Sequence, residues 1–484
     1  MNLLLVTLDQ FRGDCLSAAG HGVVRTPNLD HLATSGVRFD RHYSQSAPCS
    51  PGRACLYTGT YQMNNRVVAN GTPLDNRFDN VARAGRRGGF DPTLFGYTDQ
   101  GADPRLLEAP DDPRLSSYEG VLPGFTVGLD LTGEQALWVE WLRDLGYDVP
   151  SGGYAALETE PDRPEDVGLS AFMTNRFLDW LERRDGPWFA HLSFLRPHPP
   201  YAAAGRWAYA FAPDDVDLPI APAPHRHPFH DAALLFPQAA APVEEGDLRR
   251  LRSQYYGMIG DVDAQLGRVW DALGQLGQWE DTFVLVTSDH GEQLGDHGLI
   301  QKLGYFEESY RVLGIVRSPS HPGAHGTVVN AFTENVDFFP TICEALGLGV
   351  PPQCDGLPLT AFIEGGQPPW WRSAAAWEFD WRYLRLPGGA FDWPWDRRLE
   401  RDNLAVRRFE DGAYVHFGDG SWRCFDLDAD PTWRTEVDDA NRILGYAQSM
   451  LTWRAEHADR NVTSFLLESG GVGRWPTESV LAPS

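Results

Sequence analysis

The segment from Cys49 to Gly59 joins a reactive side chain to groups that can hold an anion. Cys49 is a potential nucleophile or the precursor of one. Pro51 suits the first turn of a helix, because proline lacks the N–H that has no partner there. Arg53 would then lie in the same turn, beside backbone amides that favour negative charge. These residues predict a site for a tetrahedral oxyanion, but a buried structural cysteine before an ordinary helix fits them equally well.

Two pairs of polar residues follow short apolar runs elsewhere in the chain. Asp9 and Gln10 follow the first such run, and Asp289 and His290 follow a much later one. If the two runs are neighbouring parallel strands, the four side chains converge beyond the carboxyl ends of those strands, where ligand sites form. Two carboxylates, an amide oxygen and an imidazole are suitable ligands for a divalent cation. Either pair alone would more often cap a loop, whereas both pairs together favour a metal site.

A series of residues resembles the signature of the formylglycine sulfatases of the alkaline phosphatase superfamily: Cys49, Pro51, Arg53, Leu56, Thr58 and Gly59. Residues 60–70 resemble one branch more closely, the phosphonate monoester hydrolases and their arylsulfatase relatives. The resemblance extends from Asn2 to about Asn461, nearly the whole chain. The usual signature has Ser at the position of Gly52, and this is a departure from it.

The resemblance implies that a formylglycine-generating enzyme oxidises Cys49 to the aldehyde formylglycine. A hydroxyl of the hydrated aldehyde, activated by a metal and by Asp289, would attack sulfur or phosphorus while Arg53 stabilises the developing charge. The covalent ester would then collapse, releasing the oxyanion and restoring the aldehyde. By the same resemblance, one divalent ion is bound by five residues: Asp9, Gln10, Asp289, His290 and the formylglycine from Cys49. The imidazole favours Mn²⁺ over Ca²⁺, and Mg²⁺ is a third candidate.

Further residues match family positions around the substrate. His198 resembles the histidine near the leaving group, Lys302 the lysine that binds substrate oxygens or stabilises the leaving group, and Asn70 a substrate-contacting asparagine. Most sulfatases carry Lys and His where this chain has Tyr97 and Asp99. Tyr97 is therefore a candidate substrate contact, and Asp99 is the candidate base that breaks the covalent intermediate. An ionised Asp99 would also repel dianionic phosphate monoesters, which predicts a preference for sulfate and phosphonate monoesters.

The composition is that of an acidic globular protein of 484 residues with a formal net charge of −26. This charge argues against a nucleic-acid or anionic-membrane partner, because either would require a basic face. The six cysteines are too sparse for a disulfide framework. The apolar run at residues 3–6 is too short for a secretory signal, and no apolar segment is long enough to span a bilayer. We therefore expect a cytoplasmic protein with reduced thiols.

The elements that must position these groups are those of an α/β protein. Short apolar runs alternate with amphipathic segments, which predicts a central mixed, mostly parallel sheet flanked by helices; the resemblance implies the alkaline phosphatase-like arrangement. Residues 102–167 are rich in Pro, Gly and Asp and are interpreted as an insertion over the sheet edge. Alternating runs with turn signals between residues 404 and 427 predict a small C-terminal antiparallel sheet.

We divide the chain into a catalytic domain at 1–368, an antiparallel-sheet subdomain at 369–445, and a C-terminal helix and tail at 446–484. The tail, together with six tryptophans between Trp370 and Trp395, predicts contacts between copies in a homodimer or homotetramer. The alternative is that these aromatic side chains pack under the C-terminal sheet.

The leading hypothesis is an enzyme that hydrolyses small sulfate monoesters, as an arylsulfatase does, and phosphonate monoesters, with phosphodiesters as further substrates. A first alternative is a two-metal phosphatase or phosphodiesterase of the same superfamily, which would need a Ser or Thr nucleophile instead of Cys49. A second alternative is a non-catalytic homologue that only binds anions.

Overall fold

The structure, a computed structural model, describes residues 1–109, 111–115, 117–382, 401–458, 466–467 and 473–474. Its strands are β1 (Asn2–Leu8), β2 (Val37–Tyr43), β3 (Ser46–Ala47), β4 (Thr93–Gly96), β5 (Thr126–Asp130), β6 (Phe189–Phe194), β7 (Thr282–Thr287), β8 (Gly314–Arg317), β9 (Thr327–Glu334), β10 (Ala375–Asp380), β11 (Asn403–Arg408), β12 (Gly412–Phe417), β13 (Trp422–Asp426), β14 (Leu466–Leu467) and β15 (Gly473–Arg474). Its α-helices are α1 (Pro27–Thr34), α2 (Cys49–Thr58), α3 (Gln62–Asn65), α4 (Val81–Arg87), α5 (Thr132–Asp144), α6 (Gly153–Glu158), α7 (Leu169–Leu181), α8 (Pro228–Leu234), α9 (Glu245–Gln275), α10 (Phe338–Ala345), α11 (Thr360–Ile363) and α12 (Ala440–Glu456).

The central sheet has eight strands in the order β5-β4-β6-β1-β7-β8-β2-β9. Neighbouring strands are parallel, apart from the antiparallel pairs that β8 forms with β7 and with β2. Helices pack on both faces of this sheet. The predicted central mixed, mostly parallel sheet flanked by helices is therefore confirmed.

Strand β1 lies in the middle of the sheet, and its side chains alternate between the two faces. Leu4, Val6 and Leu8 belong to the core formed with α1, α7 and α9, whereas Leu3 and Leu5 belong to the core formed with α2, α4 and α10. All seven residues of β1 are buried. A strand that is covered on both faces must be largely apolar, so the change to polar side chains after Leu8 marks where the chain leaves the sheet.

The two edge strands differ from the sequence analysis. Residues 102–167 were expected to lie over the sheet edge, but they supply the edge strand β5 itself, followed by α5 and α6. Strand β5 lacks an apolar run because its first three residues are exposed, and a Cβ at Gly128 would meet the ring of Phe95. The opposite edge, β9, was not predicted either, and exposed residues interrupt its buried ones in the same way.

The smaller sheet has the order β13-β12-β11-β10-β3. Strands β10 to β13 are antiparallel, which confirms the predicted C-terminal sheet, and β3 adds to β10 in parallel. Because β3 lies just before α2, the smaller sheet is joined directly to the segment that holds Cys49. The division of the chain at residues 368 and 445 stays a prediction.

The tryptophan-rich stretch does not form a broad surface patch. Trp377 and Trp381 are buried in the core under the smaller sheet, and Trp371 packs against Phe362. Trp370 is 65% exposed. Trp393 and Trp395, and most of the tail after Leu467, lie outside the described residues. The described aromatic side chains therefore favour packing under the sheet over a role in subunit contacts.

Candidate active site

Four adjacent parallel strands end at one edge of the central sheet, in the order β4, β6, β1 and β7. The register pairs Thr7 with Thr287, so the residues that follow β1 and β7 lie side by side. The segments after the four strands carry most of the predicted site residues: Tyr97 and Asp99 after β4, His198 after β6, Asp9 and Gln10 after β1, and Asp289 and His290 after β7. The structure thus brings the two polar pairs together at one edge.

Helix α2 presents Cys49 and Arg53 to this edge. The expectation that Arg53 lies in the first turn is wrong, because α2 already begins at Cys49. Arg53 therefore lies about one turn further along, four residues from Cys49 and on the same face of the helix. Cys49 and Arg53 can consequently reach one site, Cys49 from the first residue of the helix and Arg53 from its second turn.

The contacts around the start of α2 explain two features of its sequence. The backbone N–H of Ser50 donates to Asn70 Oδ1 at 2.9 Å, so Asn70 binds a helix-start amide that an anion would otherwise use. A Cβ at Gly52 would lie 2.5 Å from the carbonyl oxygen of Asp289. The serine of the usual signature would not fit at this close approach, which accounts for Gly52 in this chain.

Four buried side chains form a cluster of possible metal ligands. One donor atom from each lies within 4.8 Å of the others: Asp9, Cys49, Asp289 and His290. Cys49 Sγ is 3.9 Å from Asp9 Oδ1 and 3.3 Å from His290 Nε2. Protein donors lie about 2.0–2.6 Å from a divalent ion, so one ion can contact all four. His290 Nδ1 is 3.0 Å from the carbonyl oxygen of Gly291, and a hydrogen bond there leaves Nε2 with a lone pair towards the cluster. This donor set fits one divalent ion.

Arg53 holds the two carboxylates of this cluster in place. Its side chain is fully buried and donates to Asp9 Oδ2 at 3.0 Å and to Asp289 Oδ2 at 2.9 Å. It also donates to Ser193 Oγ at 2.7 Å and to the carbonyl oxygen of Tyr97 at 3.2 Å. Its donors therefore face protein groups, and Arg53 acts first as the counter-ion that lets Asp9 and Asp289 be buried together.

Lys302 and His198 also lie near Cys49. Lys302 Nζ is 2.7 Å from Gln10 Oε1, 3.4 Å from Cys49 Sγ and 3.0 Å from His198 Nε2. His198 Nδ1 lies 2.7 Å from the carbonyl oxygen of Pro199. A hydrogen bond from Nδ1 to that oxygen leaves His198 Nε2 as the acceptor for Lys302. Gln10 therefore turns its amide oxygen towards Lys302 in this structure, beside the cluster.

Glu292 is a site residue that the sequence analysis did not identify. It is fully buried and accepts hydrogen bonds from Gln10 Nε2 and Tyr201 Oη, and from the backbone N–H groups of Leu294 and Gln301. Because Glu292 binds the amide nitrogen of Gln10, it orients the amide oxygen towards Lys302. Its position two residues after His290 is the one signal in the sequence that could have suggested this role.

We expect Glu292→Gln to lower kcat/KM about 10- to 100-fold, because Glu292 holds Gln10, a candidate metal ligand, and this is the usual effect of losing a residue that orients a ligand. Four donors meet at this carboxylate, and a glutamine would replace one acceptor oxygen by an N–H₂ group that faces a donor. Steady-state kinetics and metal content of the purified protein measure the effect.

Glu334→Gln provides the matched control for Glu292→Gln. Glu334 is also fully buried, and it accepts from Tyr61 Oη and Ala376 N near the smaller sheet. Equal losses of activity in both variants would contradict a specific role for Glu292.

Tyr97 and Asp99 lie against the carboxylate cluster. The Tyr97 hydroxyl donates to Asp9 Oδ2 at 2.7 Å, and its ring covers the Arg53 guanidinium at 4.5 Å. This hydroxyl therefore orients a candidate metal ligand, whereas we expected Tyr97 to contact substrate. Asp99 Oδ2 is 3.6 Å from Arg53 Nε. The Arg53 guanidinium is therefore surrounded by three carboxylates, those of Asp9, Asp99 and Asp289.

The buried site shifts several ionisation equilibria. Burial raises the pKa of the Cys49 thiol, and burial raises the pKa of Asp289 to about 6. Burial also raises the pKa of Asp99 well above its usual range; Arg53 opposes this, while the Asp9 and Asp289 charges add to it. Asp99 is therefore favoured in its neutral form. The expectation that an ionised Asp99 repels dianionic esters is not supported by this environment.

Both histidines of the site are neutral in their surroundings. Burial lowers the pKa of His290 to about 3, and Lys302 adds to the effect. Burial and the nearby Lys302 also lower the pKa of His198 to about 3. Neutral imidazoles can accept a hydrogen bond or bind a metal through one ring nitrogen.

Two neighbouring cavities lie at this edge of the sheet, and Cys49 lines the inner one. The inner one, about 20 Å³, is lined by Cys49, Asp9, Asp99 and Tyr97, among others. The outer one, about 630 Å³, is lined by Asn70, Lys302 and several apolar side chains. Three residues line both cavities: Tyr118, Tyr154 and His198. These three side chains therefore form the boundary between the cavity at Cys49 and the wider outer chamber.

Comparisons with known proteins agree with this geometry. The sulfatase family model matches residues 1–348. The multifunctional alkaline phosphatase superfamily protein PehA of Trinickia caryophylli is 36% identical, over 97% of this chain and 98% of its own length. The choline-sulfatase of Rhizobium meliloti is 28% identical, over 75% and 72%. The crystal structure of the phosphonate monoester hydrolase of Agrobacterium radiobacter superposes with a TM-score of 0.88 at 42% identity, covering 98% of this chain and all of that one.

Proposed function

Because the chain belongs to the sulfatase family, we propose that it hydrolyses sulfate monoesters and phosphonate monoesters, with phosphodiesters as further substrates. The names of its relatives, a choline-sulfatase and a phosphonate monoester hydrolase among them, support both ester classes. The observation that carries the proposal is the position of Cys49, at the start of α2 and within reach of Asp9, Asp289 and His290.

The chemistry of the site calls for two groups beyond the standard side chains. Formylglycine formed from Cys49 by a formylglycine-generating enzyme would supply the nucleophilic hydroxyl. A divalent ion, Mn²⁺, Ca²⁺ or Mg²⁺, held by Asp9, Asp289 and His290 with residue 49, would supply Lewis acidity. Gln10 is a fifth candidate ligand, since its backbone N–H donates to Asp289 Oδ1 and its amide lies beside the cluster. The imidazole of His290 favours Mn²⁺.

The remaining residues bind and orient the ester. Burial lowers the pKa of Lys302, but the carboxylates of Asp9 and Asp289 act to raise it and so favour a charged ammonium beside Cys49 Sγ. The charge can stabilise negative charge on a leaving oxygen. His198 accepts from Lys302 and so fixes the position of the ammonium group. Asn70 lines the outer cavity, where its amide can contact the substrate. Asp99 is the candidate base that breaks the covalent intermediate; because burial favours its neutral form, it must first lose its proton to act in this way.

The test is to produce the protein together with a formylglycine-generating enzyme and to measure the mass of the peptide that contains Cys49. We expect the mass loss of thiol-to-aldehyde conversion and metal-dependent hydrolysis of 4-nitrophenyl sulfate and an aryl phenylphosphonate. 4-Nitrophenyl phosphate is the comparison ester, and a neutral Asp99 gives no charge repulsion against it. Treatment with a chelator should abolish the activity, and one added divalent ion should restore it. Full activity with an unmodified Cys49 would contradict the formylglycine mechanism.

The alternatives receive less support. A two-metal phosphatase needs a second ligand cluster, and among the described residues the group around Cys49 is the single cluster of His, Cys, Asp and Glu side chains that could hold an ion. A non-catalytic anion-binding homologue would be identified by formylglycine at residue 49 without hydrolysis of any of the three esters.

We also propose that the protein matures in the cytoplasm. Cys15, Cys49, Cys55, Cys343 and Cys424 are free thiols, which suits a reducing compartment. Among the described helices, none has the length and apolar character needed to cross a membrane.

We propose in addition that the protein is a homodimer or homotetramer. Light scattering at micromolar concentration should give a multiple of the 53.9 kDa chain mass.

A further inference from the structure

Residues 118–154 build the boundary between the inner and the outer cavity. Tyr118 and Tyr154 line both chambers, and their side chains are 37% and 40% exposed. Large aromatic side chains exposed at the neck of a cavity are available to a ligand rather than used in the core. Neither ring takes part in the steps proposed for residue 49, Lys302 and His198.

The two rings lie on the side of the site where the leaving oxygen would be. The Tyr154 ring makes an edge contact with His198, with 6.3 Å between centroids. His198 Nε2 is 3.0 Å from Lys302 Nζ, which is 3.4 Å from Cys49 Sγ. A group attached to the leaving oxygen next to Lys302 would therefore extend past Tyr154 into the outer cavity. Tyr118 lines the inner cavity together with Cys49 and Tyr154.

An unusual backbone segment holds both tyrosines. Gly133, Glu134 and Gln135 have φ values of 67°, 58° and 55°, a left-handed turn that is costly for Glu and Gln. Glu119, next to Tyr118, accepts from the backbone N–H of Gly133 at 2.8 Å.

The other side of this turn fixes Tyr154. A Cβ at Gly153 would lie 2.0 Å from the carbonyl oxygen of Glu134, so the turn packs directly against the residue before Tyr154. Strain of this kind persists where the surrounding structure enforces it, often at ligand sites. The turn thereby ties the backbone of Tyr118 to the backbone of Tyr154.

We propose that Tyr118 and Tyr154 determine leaving-group specificity by stacking against an aryl group on the leaving oxygen. This inference rests on the proposed function and adds to it the class of alcohol released: planar aromatic rather than small aliphatic. Aromatic rings attract each other in offset or edge arrangements beyond the effect of area alone. The 630 Å³ outer chamber accommodates a ring, whereas a small alkyl group would leave both tyrosine faces exposed to water.

The experiment compares 4-nitrophenyl methylphosphonate with 2,2,2-trifluoroethyl methylphosphonate, which share the acid and differ in the leaving group. We expect Tyr118→Ala and Tyr154→Ala each to lower kcat/KM for the aryl ester about tenfold or more, relative to the alkyl ester. Tyr118→Phe and Tyr154→Phe should retain the wild-type ratio, because they keep the ring. Tyr209→Ala, which removes a tyrosine that is 78% exposed elsewhere, should leave both rates unchanged.

Melting temperatures of the variants show whether the chain still folds, and the ratio of the two rates is independent of the amount of folded protein. An unchanged aryl-to-alkyl ratio in both alanine variants would overturn this inference and leave the proposed function intact. A wild-type holoenzyme that hydrolyses neither ester nor 4-nitrophenyl sulfate would overturn the proposed function and this inference with it.

Discussion

The Cys49→Ser protein should form a covalent adduct with the substrate and then stop, so that steady-state kcat falls about 10⁴-fold or more. A serine hydroxyl at this position can still attack sulfur or phosphorus beside Lys302 and the carboxylate cluster. The resulting ester has no second hydroxyl on the same carbon, and it can be released only by attack of water. Formylglycine avoids this step, because its hydrate can expel the oxyanion and restore the aldehyde.

Intact-mass measurement after mixing with an aryl phenylphosphonate checks this result: the Cys49→Ser protein should gain the mass of one phosphonyl group, while the mature wild type should not. Cys55→Ala is the matched control, since Cys55 is also buried in α2 but contacts Asn65 instead of the site. Sustained turnover by Cys49→Ser at the wild-type rate would mean that residue 49 is not the nucleophile.

The sequence predicted those parts of the site that follow from strand ends. An apolar run such as β1 must be buried, and the polar residues after it must lie at the edge of the sheet, so Asp9 and Asp289 were expected to meet if their strands were neighbours. The structure supplies that condition by pairing β1 with β7. The same reasoning failed at β5 and β9. Edge strands need to bury only part of their surface, and their sequences therefore lack the continuous apolar run that identified the central strands.

The roles of Glu292 and Arg53 could not be predicted, because they depend on partners that come together only in the fold. The four donors around Glu292 belong to residues 10, 201, 294 and 301. Arg53 was expected to face an anion, since its spacing from Cys49 allowed that reading. Burial of Asp9 and Asp289 on the same side of α2 instead uses its guanidinium as their counter-ion.

Arg53→Ala should both destabilise the metal-free protein and abolish most of its activity. Removing the guanidinium leaves the buried carboxylates of Asp9 and Asp289 without their shared partner, which costs about 3–5 kcal/mol of unfolding free energy. The pKa of Asp289, raised by burial to about 6, should rise further without this cation. Metal binding requires ionised carboxylates, so the acid limb of the pH profile of kcat/KM should move to higher pH, and kcat/KM at pH 7 should fall about 10³-fold or more.

Urea unfolding of chelator-treated protein and the pH dependence of kcat/KM with saturating metal measure the two parts separately. Arg317→Ala is the control: Arg317 is equally buried and binds the carbonyl oxygens of Trp279 and Thr282, at the opposite end of β7 from Asp289. We expect Arg317→Ala to lower stability while the pH profile stays in place, because no metal ligand loses a partner.

If Arg53→Ala lowered kcat without moving the acid limb, Arg53 would act on the transition state directly, as the resemblance to sulfatases first implied. A stabilised Arg53→Ala protein in the absence of metal would show that the two carboxylates are not ionised together, and the counter-ion role would be wrong.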